Sequence, residues 1–240
     1  MKAEYNRRNL LHQSLLAGSA LAVWEVFPGL AFSQQPSAGE PEVAATEDLM
    51  REHGVMRRAL LVYAESVPKL RHNPASVDPA TLHRTAQLFR TFGEDYHERM
   101  LEEQHIFPKV RKMSPELSHY ADSLIAQHGR GREITDYILA VCNGKKIGAA
   151  HAEPLAHVLQ GFVRMYENHA AREDTVIFPA WKKNFTNKQL DELSDQFEDI
   201  EHTMFGKDGF ADAEKTISAI EGTLGLTDLG QFTAPVPPMP

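Results

Sequence analysis

Two phrases, each present twice and in alternation, restrict this chain to few folds. The first is Glu52-His53-Gly54-Val55-Met56-Arg57-Arg58, echoed by Gln127-His128-Gly129-Arg130-Gly131-Arg132-Glu133. The second runs from Tyr96-His97 through Glu102 to Phe107-Pro108, echoed by Asn168-His169 through Glu173 to Phe178-Pro179. Their order along the chain is A, B, A′, B′. A unit repeated in this way cannot bury its apolar face alone, and two copies of a helical hairpin bury theirs against each other. Such a pairing turns four histidines and at least two carboxylates toward the axis of one bundle, which is how helical proteins build a dinuclear metal site.

The apolar periodicity agrees with helices throughout. Thr46-Glu47-Asp48 offers an N-cap and early acids for a first helix over 47–66. Pro68, Asn73-Pro74 and Asp78-Pro79 punctuate the connection to a second helix, in which Leu82, Ala86, Phe89, Phe92, Tyr96 and Met100 recur at helical steps as far as Phe107-Pro108. A third helix starts at Ser114-Pro115 and stops at Asn143-Gly144, and a fourth runs from Pro154 to Ile177. Four long helices with short connections predict an all-α fold, an antiparallel up-down-up-down four-helix bundle over residues 47–182. Weaker helical patterns at 187–203 and 211–224 predict a C-terminal helical extension over 183–232, ahead of a proline-rich extended tail at 233–240.

Residues 1–33 read as an export signal: Arg7-Arg8 precedes a Leu- and Ala-rich stretch from Leu10 to Val23, with small residues near Ala31 and Ser33. Arg7-Arg8-Asn9-Leu10-Leu11 resembles a twin-arginine signal, which implies export of a folded, metal-loaded protein to the periplasm or beyond; the residues round the arginine pair depart from the usual pattern, and a general secretory signal is the alternative. The apolar stretch falls short of the ~20 residues needed to span a bilayer, so no membrane-spanning helix is expected. Residues 34–46 have linker composition. The chain is acidic, with a formal net charge of −8, and holds no Lys/Arg cluster dense enough to neutralise a run of phosphates, which argues against nucleic acid as a partner. One cysteine, Cys142, excludes an internal disulfide and a thiolate-rich metal site, and reads as a small buried or loop residue.

Imidazole nitrogen and carboxylate oxygen suit iron, manganese or zinc, and a carboxylate can bridge two ions through its two oxygens. His169 and Glu173, four residues apart, project about 40° from each other on an α-helix and can reach a common metal pair. The first repeat departs from this spacing, because Glu102 lies five residues after His97 and about 140° round an ideal helix. A π-bulge between His97 and Pro108 would return Glu102 to the site. Without a bulge, the Phe-Pro landmarks put Glu98 in the histidine's place and pair Glu102 with Glu173.

This ordered set over residues 47–182 resembles the hemerythrin family, in its cation-binding HHE branch. The resemblance implies an antiparallel four-helix bundle with two iron ions bridged by two carboxylates and an oxo or hydroxo group. By residue matching the ligands are His53, His97, Glu102, His128, His169 and Glu173. Oxygen-carrying members have a fifth histidine four residues after the one on the third helix, where this chain has Arg132. That leaves about two of twelve octahedral positions open, which favours reaction with a ligand over reversible storage. Asp174 is a possible substitute bridge, since the oxygen carriers place an Asp five residues after the last histidine. The resemblance points to a di-iron protein binding dioxygen, nitric oxide or peroxide in sensing, scavenging or stress protection. The alternatives are a redox enzyme that reduces nitric oxide or peroxide with electrons from a partner protein, and a factor for iron-centre repair. A mononuclear zinc or purely structural bundle is the remaining rival.

His72, His83, His119, His151 and His157 lack this context and read as surface or packing residues, and His105 as structural. Tyr63, Tyr96, Tyr137 and Tyr166 fall near the ligand positions, as core residues or as hydrogen-bond partners of the ligands. Phe89, Phe92, Phe162 and Met165 are expected to form an apolar sleeve round the metals. Glu98, Glu103 and Arg172 read as solvated.

Overall fold

The computed structural model describes residues 44–238; the proposed export signal and residues 34–43 of the proposed linker lie outside them. The described residues are mostly helical and contain no strand. Helix α1 spans Ala45–His72. Helix α2 begins as Pro79–Leu88, continues as a π-helical segment Phe89–Ile106 and ends as Phe107–Val110. Helix α3 spans Pro115–Val141. Helix α4 runs Ala149–Arg172, then through a π-helical turn Glu173–Ile177 into Phe178–Lys182. Two further helices complete the fold, α5 Asn187–Phe205 and α6 Gly209–Leu224.

Local chemistry explains most of these boundaries. The Asp78 carboxylate accepts from the backbone N–H groups of Ala80 and Thr81 at 3.1 and 3.2 Å, with Pro79 supplying a first helical residue that needs no partner for its nitrogen. Ser114 and Pro115 start α3 in the same way, and Thr186 with Gln189 forms a reciprocal capping box for α5. Gly206 and Gly225 end α5 and α6 at φ 67° and 70°, a left-handed conformation that costs glycine little.

Three boundaries differ from the sequence reading. Helix α1 starts before Thr46, with Ala44 as its uncapped N-terminal residue, because Thr46 is buried in the first turn and its hydroxyl does not cap. Two prolines stay inside helices. Pro68 lies within α1, which continues to His72, and Pro154 lies within α4, which begins five residues earlier, at Ala149. Each removes one backbone donor near a helix end, and packing of the flanking apolar residues Val67, Leu70, Ala152 and Leu155 holds the helix through it.

Helix α1 packs along α4, and α3 packs against α2 and α4, so the four long helices close a ring around a shared core. Helices α5 and α6 lie over α1 and α2. Two aromatic layers divide the core. In one, Phe89 meets Phe162 and Tyr166, both with ring centroids 4.9 Å away, and Tyr63 joins Phe162 at 6.0 Å. The other contains Phe107, Phe178 and Trp181, all fully buried, with Trp181 stacked on Phe197 of α5. The histidines lie between the layers. Phe92 does not belong to a sleeve round them: it packs outward beneath Phe205 and Phe210 of the C-terminal helices, and Met165 is only half-buried. Cys142 is buried at the end of α3, and burial pushes its thiol up to about 12.

Candidate metal centre

Each long helix delivers one histidine to the centre of the bundle: His53 from α1, His97 from α2, His128 from α3 and His169 from α4, all buried. They form two pairs. The Nε2 atoms of His53 and His97 stand 3.1 Å apart, and those of His128 and His169 also 3.1 Å. Two ligand atoms at right angles on one ion, each bonded at about 2.1 Å, would stand about 3.0 Å apart. Each histidine pair therefore has the spacing of two neighbouring ligands on one cation.

Glu102 and Glu173 lie between the pairs. Glu102 Oε1 faces His97 Nε2 at 3.6 Å, and its Oε2 faces His128 Nε2 at 3.4 Å. Glu173 Oε2 faces His53 Nε2 at 3.4 Å, and its Oε1 faces His169 Nε2 at 3.0 Å and His128 Nε2 at 4.0 Å. Each pair of imidazoles thus meets one oxygen from each carboxylate. All four of these oxygens are buried and have no hydrogen-bond partner. Leaving two carboxylates so deeply buried and unsatisfied is costly, and two cations, each among two nitrogens and two oxygens, would satisfy every orphan at once. The donor set fits a two-metal centre.

The π-helical geometry is what turns Glu102 inward. The N–H of Phe107 donates to the carbonyl of Glu102 five residues back, and the N–H of Phe178 donates likewise to the carbonyl of Glu173. In both cases the next residue is a proline, which has no N–H to continue an α-helical ladder. With i→i+5 bonding, residues five apart approach one face, which compensates for the extra residue between His97 and Glu102. The second π turn, after His169, is not signalled by the four-residue spacing of His169 and Glu173.

Every imidazole has its second nitrogen held. His53 Nδ1 meets Asp174 Oδ1 at 2.6 Å, His97 Nδ1 meets Glu52 Oε2 at 2.6 Å, His128 Nδ1 meets Glu103 Oε1 at 2.9 Å, and His169 Nδ1 meets Gln127 Oε1 at 2.9 Å. All four partners offer an acceptor oxygen, so Nδ1 carries the hydrogen and Nε2 keeps its lone pair for a metal. These partners obey the same repeat as the histidines. The residue just before the α1 and α3 histidines (Glu52, Gln127) holds the histidine of the following helix, and the residue just after each inner carboxylate (Glu103, Asp174) holds the histidine of the helix beyond.

Several sequence expectations are corrected by this arrangement. Asp174 is not placed between the pairs as a substitute bridge; it accepts from His53 and is braced by Arg57 at 2.9 Å. Glu103 is not solvated but holds His128. Glu98 is fully buried: it accepts from Tyr166 Oη at 3.3 Å and from Arg132 at 3.3 Å, and its approach to His128 is to Nδ1, at 3.9 Å. Sequence reasoning missed Glu52 and Gln127, although the matched Glu-His-Gly and Gln-His-Gly phrases contained them. Arg132, where the oxygen carriers have a histidine, reaches Glu103 at 2.6 Å.

The charges of the metal-free site compensate one another. Burial disfavours charge on His128, but Glu98, Glu102 and Glu103 outweigh it and raise His128 to about 10. Burial also works against His53 and His97, and the acids beside them raise both. Burial and the neighbouring Glu173 push Glu102 up, but His97 and His128 outweigh them and hold it below the ordinary carboxylate value. Glu173 is likewise held down, against burial, by His169 and His53. Without metal, the imidazoles and carboxylates thus favour one another's charged forms.

Residues 44–181 match the family described as hemerythrin HHE cation binding domain. The chain belongs to the hemerythrin HHE cation-binding family. It is similar to uncharacterized protein Rv1995 of Mycobacterium tuberculosis and uncharacterized protein Mb2018 of Mycobacterium bovis, each 39% identical over 243 residues that cover 96% of this chain and 92% of the relative. No solved structure matches. Among the described residues of this HHE protein, no helix is long and apolar enough to cross a membrane.

Proposed function

We propose that this HHE protein is a non-haem di-iron protein that binds dioxygen, nitric oxide or peroxide, in sensing, scavenging or stress protection. The observation that carries the reading is the pair of carboxylates with four unpartnered oxygens shared between two histidine pairs. One ion would sit with His53 and His97, the other with His128 and His169, and Glu102 and Glu173 would bridge them. Two irons held there would supply redox-active binding of a small ligand. Around them, Asp174, Glu52, Glu103 and Gln127 fix the imidazole tautomers, while Phe89, Phe162, Phe107 and Phe178 exclude water from both sides. With Arg132 in place of a fifth histidine, each ion keeps only four protein donors, which leaves room for an outside ligand.

Glu94 favours a second reading, a redox enzyme that reduces nitric oxide or peroxide. It is buried, three residues before His97, and although it accepts from the Thr135 hydroxyl at 2.5 Å and pairs with Arg90 at 2.9 Å, burial raises it to about 7, which places its proton exchange close to neutral pH. Reconstitution with ferrous iron in air tests the proposal. The expected result is two irons per chain with the near-ultraviolet charge-transfer absorption of a coupled iron pair; absence of that absorption at full loading overturns it. A chemical reductant and excess peroxide then separate the readings, because a binder saturates after one equivalent and an enzyme turns over.

A further inference from the structure

The bundle's antiparallel order gives the metal pair two unlike sides. On α2 and α4 the inner carboxylates come after their histidines, so Glu102 and Glu173 lie on the Phe107 and Phe178 side. Tyr166 precedes His169 on α4, and Met56 comes after His53 on the oppositely directed α1, so both lie on the other side. Glu98 reaches the same side from α2. The Tyr166 ring stacks on the His169 imidazole, with centroids 5.1 Å apart and planes 24° apart, which fixes the direction of its hydroxyl.

That hydroxyl is buried but poorly partnered. Its single hydrogen is shared between Met56 Sδ at 3.0 Å, a weak thioether acceptor, and Glu98 Oε1 at 3.3 Å, beyond the usual range for O–H···O. The close approach of Met56 depends on Gly93, where an added Cβ would lie 2.8 Å from Sδ. A buried donor without a good acceptor, facing the side the bridging carboxylates leave free, suits a hydrogen bond to an incoming group.

We propose that Tyr166 is the hydrogen-bond donor met by a small anionic or oxygen-bearing ligand at the metal pair, and so a determinant of which ligands this site holds. Its hydroxyl leaves Met56 and Glu98 and donates to the ligand's outer atom; no covalent bond changes. The inference rests on the di-iron reading.

Azide binding to the iron-loaded full chain, followed by its charge-transfer band and by the infrared azide stretch, tests it in three proteins: unaltered, Tyr166→Phe and Tyr63→Phe. Tyr63 is a matched control, a buried tyrosine of the same aromatic layer whose hydroxyl has no hydrogen-bond partner among the described residues. The expected result is two irons in all three, azide affinity roughly tenfold or more weaker in Tyr166→Phe alone, as for loss of a hydrogen bond to a charged group, and a shifted azide stretch in that variant. Unchanged or tighter azide binding by Tyr166→Phe, equal weakening in Tyr63→Phe, or loss of iron from Tyr166→Phe each overturns the inference. Failure of the unaltered iron-loaded protein to bind azide at all would instead overturn the ligand-binding reading beneath it.

Discussion

Replacing Glu102 by alanine tests the geometry of the centre most directly. Glu102 offers one oxygen to each histidine pair, at 3.6 Å from His97 and 3.4 Å from His128, so Glu102→Ala removes one of four protein donors from both half-sites together. With free iron at a hundred times Kd, two filled sites stabilise the protein by about 5 kcal/mol. For a domain of this size that is a rise in Tm of about 10–20 °C over the metal-free protein. Losing an outer partner of a ligand weakens binding about 10- to 100-fold, and losing a bridging ligand does at least as much. A 100-fold loss brings free iron down to Kd, halves occupancy to about one iron per chain and shrinks the rise in Tm to about 2–3 °C. The assay is iron content after desalting plus paired thermal melts with and without iron, each variant judged against its own metal-free melt. Glu98→Ala is the comparison, because Glu98 already binds Tyr166 and Arg132 and is expected to leave two irons in place. Two irons and an undiminished rise in Tm in Glu102→Ala would refute the reasoning, and loss of iron in Glu98→Ala instead would move the bridge to Glu98.

Asp174→Asn keeps the shape of the partner to His53 but removes its charge; iron affinity at the His53 half-site is expected to fall about 10- to 100-fold in a chelator competition, with the bundle still folded by circular dichroism. In the metal-free protein, the raised His128 contributes stability that is complete below the unfolded value of 6.5 and lost as pH rises toward about 10, while the depressed Glu102 and Glu173 contribute stability present above 4.5 and lost as pH falls below it. Metal-free Tm is therefore expected to peak between pH 4.5 and 6.5, and a Tm that climbs steadily from pH 6.5 to 10 would contradict this assignment. Because the same histidines must lose protons to bind metal, iron uptake at neutral pH is expected to release protons, measurable in a weakly buffered solution. Changing Arg7 and Arg8 to lysine is expected to keep the full-length chain in the cytoplasm of a bacterial host; recovery of the variant as a processed chain outside the cytoplasm would show that the arginine pair does not direct export.

The sequence by itself determined the chemistry and the helices that carry it. The alternating phrases supplied four imidazoles and two carboxylates, helical periodicity placed them on inward faces, and the five-residue step from His97 to Glu102 required a departure from α-helical geometry that the π-helical segment provides. Spacing along one helix is an angle, and an angle can be read from residue numbers. Contacts between helices also depend on axial offset and rotation, which residue numbers do not contain. That is why Glu98, one residue from His97, read as solvated and is buried beneath Tyr166 and Arg132. It is also why Asp174 read as a possible bridge and instead holds His53, 121 positions away in the chain. The exchange in which Glu52 holds His97 and Gln127 holds His169 was decided by how α1 and α3 lie beside α2 and α4. Pro68 and Pro154, which local preference would put outside helices, remain inside them because burial of neighbouring apolar residues outweighs one lost hydrogen bond near a helix end. The donors were legible because they repeat; their partners were settled only when four helices packed at one set of offsets.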